Sequence, residues 1–450
     1  MAGMSVDGLI SGLDTTSLIN QLVQAEGAPK AQLQTRLTTT KAAGDAYRAV
    51  NTRFDAIRTA AEALTKPELW STAKATSTSG TVTATLSSSP QTGSLTFSVE
   101  GLAAAHSLIT TGVPWNSTTE NAGFGSSVQI LNRDGSNRGN PITIGGTGSL
   151  ADVVTAINAS DAKLSAAAVQ VAPGKYQLQI SAEGTGSANE FSIAGKTLGA
   201  ATEAADARLK VGTGPAAYDV YSSTNTFAEL MPGATLTATK ADPGVQVTVG
   251  VAADPQSIAG KLKALVEAVN NALSGIKTYT AAAGGPTAVL KGDSGLIGLA
   301  SRVRTEVSDA VGDDGSPWGA GIRLEKDGTV VFNEARFLEK LKADPALVQR
   351  LVGGKPATGA EAAVEGVAQR VFDLARVSTD TTTGTLVSLA KGRDDLVKDI
   401  QKRIDAWDLR LAQRKQTLTR QFTAMETALS SMKNQSTWLA GQLNSLSSSS

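Results

Sequence analysis

The stretch Lys30-AQLQTRLTTTKAAGDAYRAVNTRFDAIRTAAEALT-Lys66 decides the fold. Apolar or small residues fall at Leu33, Leu37, Thr40, Gly44, Tyr47, Val50, Phe54, Ile57, Ala61 and Leu64, always three or four apart. That spacing lines them up on one helical face as a heptad-like seam. Pro29 stands in the first turn, where its missing N–H costs nothing, and Pro67 stops the helix. At about 1.5 Å per residue the rod is roughly 55 Å long. A stripe so long and narrow needs a partner to cover it.

The far end of the chain offers one. Leu396, Ile400, Ile404, Trp407, Leu411, Leu418, Phe422, Met425, Leu429 and Met432 repeat the spacing, with one gap at Arg414–Lys415. Arg393, Asp394, Lys398, Asp399, Lys402 and Arg403 fill the other face. No proline follows Lys391, so the spacing predicts a helix of roughly 60 Å to about Asn434, with Leu446–Ser450 as a disordered, serine-rich tail. The economical reading pairs the two ends with each other, and with copies in other subunits; the alternative is an ordinary helical hairpin inside one domain. Ahead of the first helix, Leu18, Ile19, Leu22 and Val23 share a face that Asp14 or Thr15 caps. The Gly8/Gly12 stretch reads as loose until it meets a partner.

Between the ends the period changes to two from about Ser77: Val82/Ala84/Leu86, Leu95/Phe97/Val99, Tyr176/Leu178/Ile180, Leu236/Ala238 and Val245/Val247/Val249/Val251. One short helix interrupts, with Leu150, Val153, Val154 and Ile157 behind a Ser149/Asp152 capping box. Residues 112–148 read as loop-heavy. Helical spacing returns after Pro255 (Ile258 to Ile276) and after Ser294, followed by a hairpin turning at Lys326-Asp327-Gly328 and a helix begun by Phe337, Leu338 and Leu341. The fold class is therefore α+β multidomain: a coiled-coil leg of terminal helices, an α-rich stem with a β-hairpin, and an inserted antiparallel β-rich head of two subdomains. The expected boundaries are 1–45 for the N-terminal leg, 46–78 for a stem helix, 79–255 for the head, 256–399 for the stem and 400–450 for the C-terminal leg and tail. Within the head, 79–118 with 206–255 form an inner part and 119–205 an outer one.

Composition and chemistry point away from catalysis. The 450 residues carry 41 Lys+Arg and 41 Asp+Glu, so charge draws the chain neither to nucleic acid nor to an anionic membrane. Aromatics are 4%, which leaves thin cores and stability spread over several packings. No cysteine is present, which removes disulfides, thiolate metal sites and cysteine nucleophiles. No apolar run approaches the roughly 18 residues of a spanning helix. Residues 1–29 hold no Lys or Arg, so no positive leader is expected; a cytoplasmic protein and export without a cleaved peptide both stay open. Gly292-Asp293-Ser294-Gly295 echoes a serine-protease segment, and His106 precedes it, but the helical spacing that follows makes Asp293 or Ser294 an N-cap. The lone His106 reads as surface or lightly packed. Gly145–Ser149 lacks the lysine of a phosphate loop. Asp134–Asn137 and Asp313–Gly315 are too short for calcium. No catalytic, metal or cofactor site is expected.

Three regions together resemble the flagellar filament-capping proteins, the hook-associated protein 2 family. They are Gly8-LISGLDTTSLINQLVQA-Glu26 with the helix after it; Ser149-LADVVTAI-Asn158, Val169 and Tyr176-QLQI-Ser181, similar to a repeat of hook-associated proteins and flagellins; and Leu290-KGD-Ser294 with the hairpin and terminal helix. The resemblance implies export through the flagellar channel and an extracellular ring at the distal filament tip. The ring would have four to six subunits, five favoured, and would retain flagellin and promote its folding and polymerisation. It implies flagellin and hook-associated proteins as partners, and a cytoplasmic export chaperone on the C-terminal helix. Leu18, Leu22, Leu33, Leu37, Leu411, Leu418, Phe422 and Leu429 are the expected leg-packing and flagellin-contact residues. The competing readings are a secreted adhesin binding glycans through the head, and another hook-associated junction protein or a flagellin.

Overall fold

A computed structural model describes residues 14–87, 90–358 and 362–447. The helices, in chain order, are α1 (Thr15–Glu26), α2 (Ala28–Thr65), α3 (Pro67–Trp70), α4 (Leu150–Asn158), α5 (Pro255–Thr280), α6 (Ser294–Ser308), α7 (Glu334–Ala343), α8 (Pro345–Val352), α9 (Val367–Thr379) and α10 (Thr385–Ser447). The strands used below are β1 (Ala73–Ser77), β2 (Val82–Leu86), β3 (Gly93–Gly101), β4 (Ser107–Ile109), β5 (Ser127–Val128), β6 (Ile130–Asn132), β7 (Ile142–Thr143), β8 (Leu164–Ala172), β9 (Lys175–Ala182), β10 (Phe191–Ile193), β11 (Gly199–Thr202), β12 (Ala207–Val211), β13 (Tyr218–Ser222), β14 (Thr226–Met231), β15 (Ala234–Ala238), β16 (Gln246–Ala253), β17 (Ile322–Leu324) and β18 (Val330–Phe332). The fold is α+β, and it divides into two units: residues up to Pro67 together with Ala259 onward, and Glu68–Ile258.

The first unit is a helical stem that continues into the paired chain ends. The α2 seam residues Tyr47, Val50, Phe54, Ile57, Ala61 and Leu64 are all 0% exposed. They pack with α9 and α10, where Val371, Leu374 and Leu386 are buried. The apolar stripe read on α5 is the buried face of that helix, with Leu262, Val269 and Ile276 inside. The β17–β18 hairpin is held to α5 by one side chain: Asn270 accepts from the Val330 N–H at 2.8 Å and donates to its C=O at 2.7 Å. A strand edge that would lack a partner is thereby closed. Gly321 starts the hairpin at φ +77°, and a Cβ there would lie 2.6 Å from the Asn333 carbonyl, so the position admits only glycine without a shift.

The second unit has two hydrophobic cores. One lies in the five-stranded sheet β1-β16-β3-β12-β13 and the sheet β14-β15-β2, around Phe97, Val99, Leu209, Phe227, Leu236 and Val249. The other lies in the sheet β11-β4-β9-β8, the small ladders β10-β6 and β5-β7, and α4, around Ile130, Leu150, Ile157, Leu178, Ile180 and Phe191. The alternating runs of the sequence are these strands, and all the pairings are antiparallel. The α4 capping box is formed: Ser149 Oγ accepts from the Asp152 N–H, and Asp152 accepts from the Ser149 N–H. The stretch 112–148 is mostly turns, broken by three two- or three-residue strands.

Four expectations need correction. The stretch 46–78 is not one stem helix: α2 ends at Thr65, and Ala73–Ser77 is β1, an edge strand of the five-stranded sheet. The C-terminal helix does not stop at Asn434; α10 has 63 residues, roughly 95 Å, and runs unbroken from Thr385 to Ser447. The serine-rich tail is therefore helical at Leu446 and Ser447, and its last three residues lie outside the described ones. His106 is neither on the surface nor lightly packed: it is 4% exposed, its Nδ1 accepts from the Phe191 N–H at 3.1 Å, and its ring meets Phe191 edge-on at 5.0 Å. Finally, the four residues read as one face of the first helix divide: Ile19 is 6% exposed and Val23 half-buried, while Leu18 and Leu22 are 39% and 41% exposed. The Gly8/Gly12 stretch lies outside the described residues.

Candidate functional site

The two ends of the chain pair with each other. α1 and α2 run antiparallel to α10, and three ion pairs mark the register. Glu26 meets Arg414 at 2.9 Å, Lys30 meets Asp408, and Arg48 meets Asp394 at 2.7 Å. The α1–α2 joint is Gly27, where a Cβ would come within 3.6 Å of Leu411 Cδ1. Asp14 caps α1, accepting from the Ser17 N–H at 2.8 Å.

Burial is complete at the stem end of this pairing and patchy along its outer part, where Ile19 and Leu418 are buried points among half-buried and exposed ones. The seam is sealed from Tyr47 to Leu64, half-buried at Leu33 and Leu37, and exposed at Leu18 and Leu22. On α10, Ile400, Ile404 and Leu418 are 3%, 5% and 7% exposed, while Leu411, Phe422 and Leu429 are half-buried. The marker ion pairs have side chains between 25% and 56% exposed, so each is worth about 0–1 kcal/mol. The apolar seam, at about 1.5–3 kcal/mol per fully buried large side chain, holds the pairing, and the ion pairs set its register. At the gap Arg414–Lys415 the missing apolar residue is replaced by the Arg414 bond to Glu26. Beyond α1, the exposed stripe Met432, Trp438, Leu439 and Leu443 runs on at 56–65% exposure. Spacing carried that stripe past Asn434, but the polar run Lys433–Ser436 hid it.

The pairing is anchored where it enters the stem. Tyr47 on α2 donates its phenol proton to Asp293 Oδ2, and Asp293 Oδ1 accepts from the Leu296 N–H at 2.9 Å, capping α6. Burial first, then the bond to Asp293, raises the Tyr47 phenol above its ordinary value, while Arg393 pulls it back. The protease-like segment is thus a helix cap tied to a neighbouring helix. Asp134 accepts from Ser136 in its own turn. Asp314 is gripped bidentately by Arg350 at 2.8 and 2.9 Å, which holds its carboxyl below the usual range. Among the described residues no group of three His, Cys, Asp or Glu is placed to hold a metal ion, and no helix is long and apolar enough to cross a membrane.

Comparison with known proteins agrees in both sequence and fold. The family model for the flagellar hook-associated protein 2 C-terminus matches residues 204–434, and that for its N-terminus matches residues 11–106. The flagellar hook-associated protein 2 of Escherichia coli K12 is 25% identical over 483 residues, covering 100% of both chains. The A-type flagellar hook-associated protein 2 of Pseudomonas aeruginosa is 24% identical over 480 residues, covering 98% of each. The crystal structure of the D1-D2-D3 domains of the flagellar cap protein FliD from Escherichia coli superposes with a TM-score of 0.58 at 23% identity, covering 78% of this chain and 99% of that one. With the C-terminal match alone spanning more than half its length, the chain belongs to the flagellar hook-associated protein 2 family.

Proposed function

We propose that this chain is a flagellar filament cap: a ring of copies at the distal tip that keeps exported flagellin from escaping and helps it fold and polymerise. Family membership and the fold shared with a flagellar cap protein support the reading. The observation that carries the mechanism is the change along the paired ends from complete burial at the stem to patchy burial in the outer part. A cap must hold its filament yet shift as each subunit is added. A seam sealed at the stem and half-open at Leu33, Leu37, Leu411, Phe422 and Leu429 binds partners through the open part without unfolding the rest. Leu18 and Leu22, outside the intramolecular seam, would face flagellin. The Arg414–Lys415 gap is the soft point of exchange. The stripe at Met432, Trp438 and Leu439 is the surface we assign to a cytoplasmic export chaperone before the chain leaves the cell. The role in this reading is structural.

Immunogold electron microscopy with antibody to residues 79–255 tests this. Gold at distal tips, with unpolymerised flagellin in the medium of a deletion strain, is the expected result. Gold along filaments or over the cell body would sink it.

A further inference from the structure

Beside the leg seam, between α2 and α10, a groove of about 520 Å³ opens, lined by Pro29, Leu33 and Trp407 with Arg36, Arg403 and Arg410. Leu33 and Trp407 are half-buried and form its apolar floor; the three arginines are exposed on its rim. Arg403 lies 2.9 Å from Asp399, and the Arg410 guanidinium sits 4.9 Å from the Trp407 ring centre. Among the described residues Arg36 has no acidic partner. The groove is therefore apolar inside and positive outside.

The complementary shape is on the other side of the same helix. Leu409 is 63% exposed, and two residues from Trp407 it stands about 160° around α10. Asp405, one turn before it, is exposed, and among the described residues its carboxylate accepts only from Gln401, at 2.9 Å. A single exposed leucine needs no explanation. An exposed leucine with an unneutralised acid beside it, level with an arginine-rimmed apolar groove on the opposite face, has one. Two different surfaces that fit each other, on opposite sides of one rod, make a head-to-tail contact, and such contacts form a ring where the rotation between copies closes.

We propose that a second copy of this chain inserts its Leu409 into the Leu33/Trp407 groove, with its Asp405 against Arg36 and Arg410, so that neighbouring legs stand parallel and in register. The contact rests on the reading of the protein as a ring of copies and assigns the surface by which legs meet. Its area is small, so it adds to other contacts between copies and sets the spacing of the legs.

The chain has no cysteine, which makes the test direct. The full chain carrying Leu33→Cys with Leu409→Cys is oxidised with copper phenanthroline at a concentration where the wild type associates. A ladder of dimers, trimers and higher species is expected, with each single variant stopping at dimers. Asp405→Arg should weaken self-association about fivefold or more, and adding Arg36→Asp should restore it; circular dichroism checks that the helices persist. A wild type that stays monomeric at every concentration sinks the ring and the contact together. Association without a ladder, or with no effect of Asp405→Arg, sinks the contact and leaves the ring standing. Crosslinking at Leu409 that appears only when flagellin is added makes flagellin the occupant and overturns the proposal.

Discussion

Removing one oxygen, by Tyr47→Phe, should destabilise the stem by about 2 kcal/mol. Tyr47 is fully buried and its hydroxyl donates to the Asp293 carboxylate. A hydrogen bond to a charged group is worth about 1.5–3 kcal/mol, and the phenylalanine ring keeps the packing of the original. Asp293→Ala should cost about 3 kcal/mol, the same bond plus about 1 for the α6 cap. Because both substitutions break one bond, the double variant should be no worse than Asp293→Ala alone, a coupling of about 2 kcal/mol. The pH dependence follows from the raised Tyr47 value, caused first by burial and then by Asp293. A raised folded value means that the protonated phenol is the folded form. Its stability is full below the unfolded value of about 10 and is lost as pH climbs through the folded one. The gap between wild type and Tyr47→Phe should thus hold up to about pH 10 and shrink above it. Two units need not unfold together, so amide exchange at Leu296, in the first turn of α6, is the local readout. A Tyr47→Phe variant within about 0.5 kcal/mol of wild type, or a gap unchanged above that pH, would refute the reasoning.

Leu418→Asp places a carboxylate at a position only 7% exposed; it should open the outer pairing, weaken tip capping in a motility assay and leave the melting of residues 68–258 unchanged. Normal capping by this variant would rule out the seam as the working part. Asn270→Ala strips both backbone groups of Val330 of their partner and should cost about 2 kcal/mol, seen as faster exchange of the hairpin amides; unchanged exchange would mean that the hairpin is held by its apolar side chains alone. Asp314 has a lowered folded value, caused first by its bond to Arg350, so its stabilisation is present above the unfolded value of about 3.9 and lost as pH falls through the folded one. Arg350→Met should therefore be less stable than wild type near neutrality and converge with it in acid; a constant difference across the titration would assign the effect to packing.

Local signals were readable and distant ones were not. The three-or-four spacing of α2, the Ser149/Asp152 box, the Asp293 cap and the turn at Asp327 each rest on residues a few positions apart, where geometry and chemistry agree. The Tyr47–Asp293 bond joins residues 246 apart, and nothing in either neighbourhood announces the other. His106 looked peripheral because one histidine among alanines has no periodicity to place it, yet an N–H from β10 and a phenylalanine ring enclose it. In the leg the seam was legible as a stripe, but its depth was not. Spacing treats Leu18 and Ile19 alike, whereas the angle at which α1 meets α10 buries one and leaves the other open. The continuation of α10 was missed because the polar run after Met432 resembles a stop, and a helix needs no apolar residue to continue when nothing breaks it.

The pairing of β1 with β16, from Ala73 against Ala253 to Ser77 against Val249, has a consequence for how the chain closes on itself. The first and last strands of residues 68–258 are neighbours, so once that unit has folded the polypeptide between α2 and α5 acts as a short tether. The contact between Lys30 and Asp408 spans 378 positions, and the entropy of closing a loop grows with its logarithm. Folding the middle first removes half of that length before the ends search for each other. The same arrangement makes the middle a graft: any self-closing fold whose two ends emerge side by side can take its place without lengthening the path between the helices that flank it.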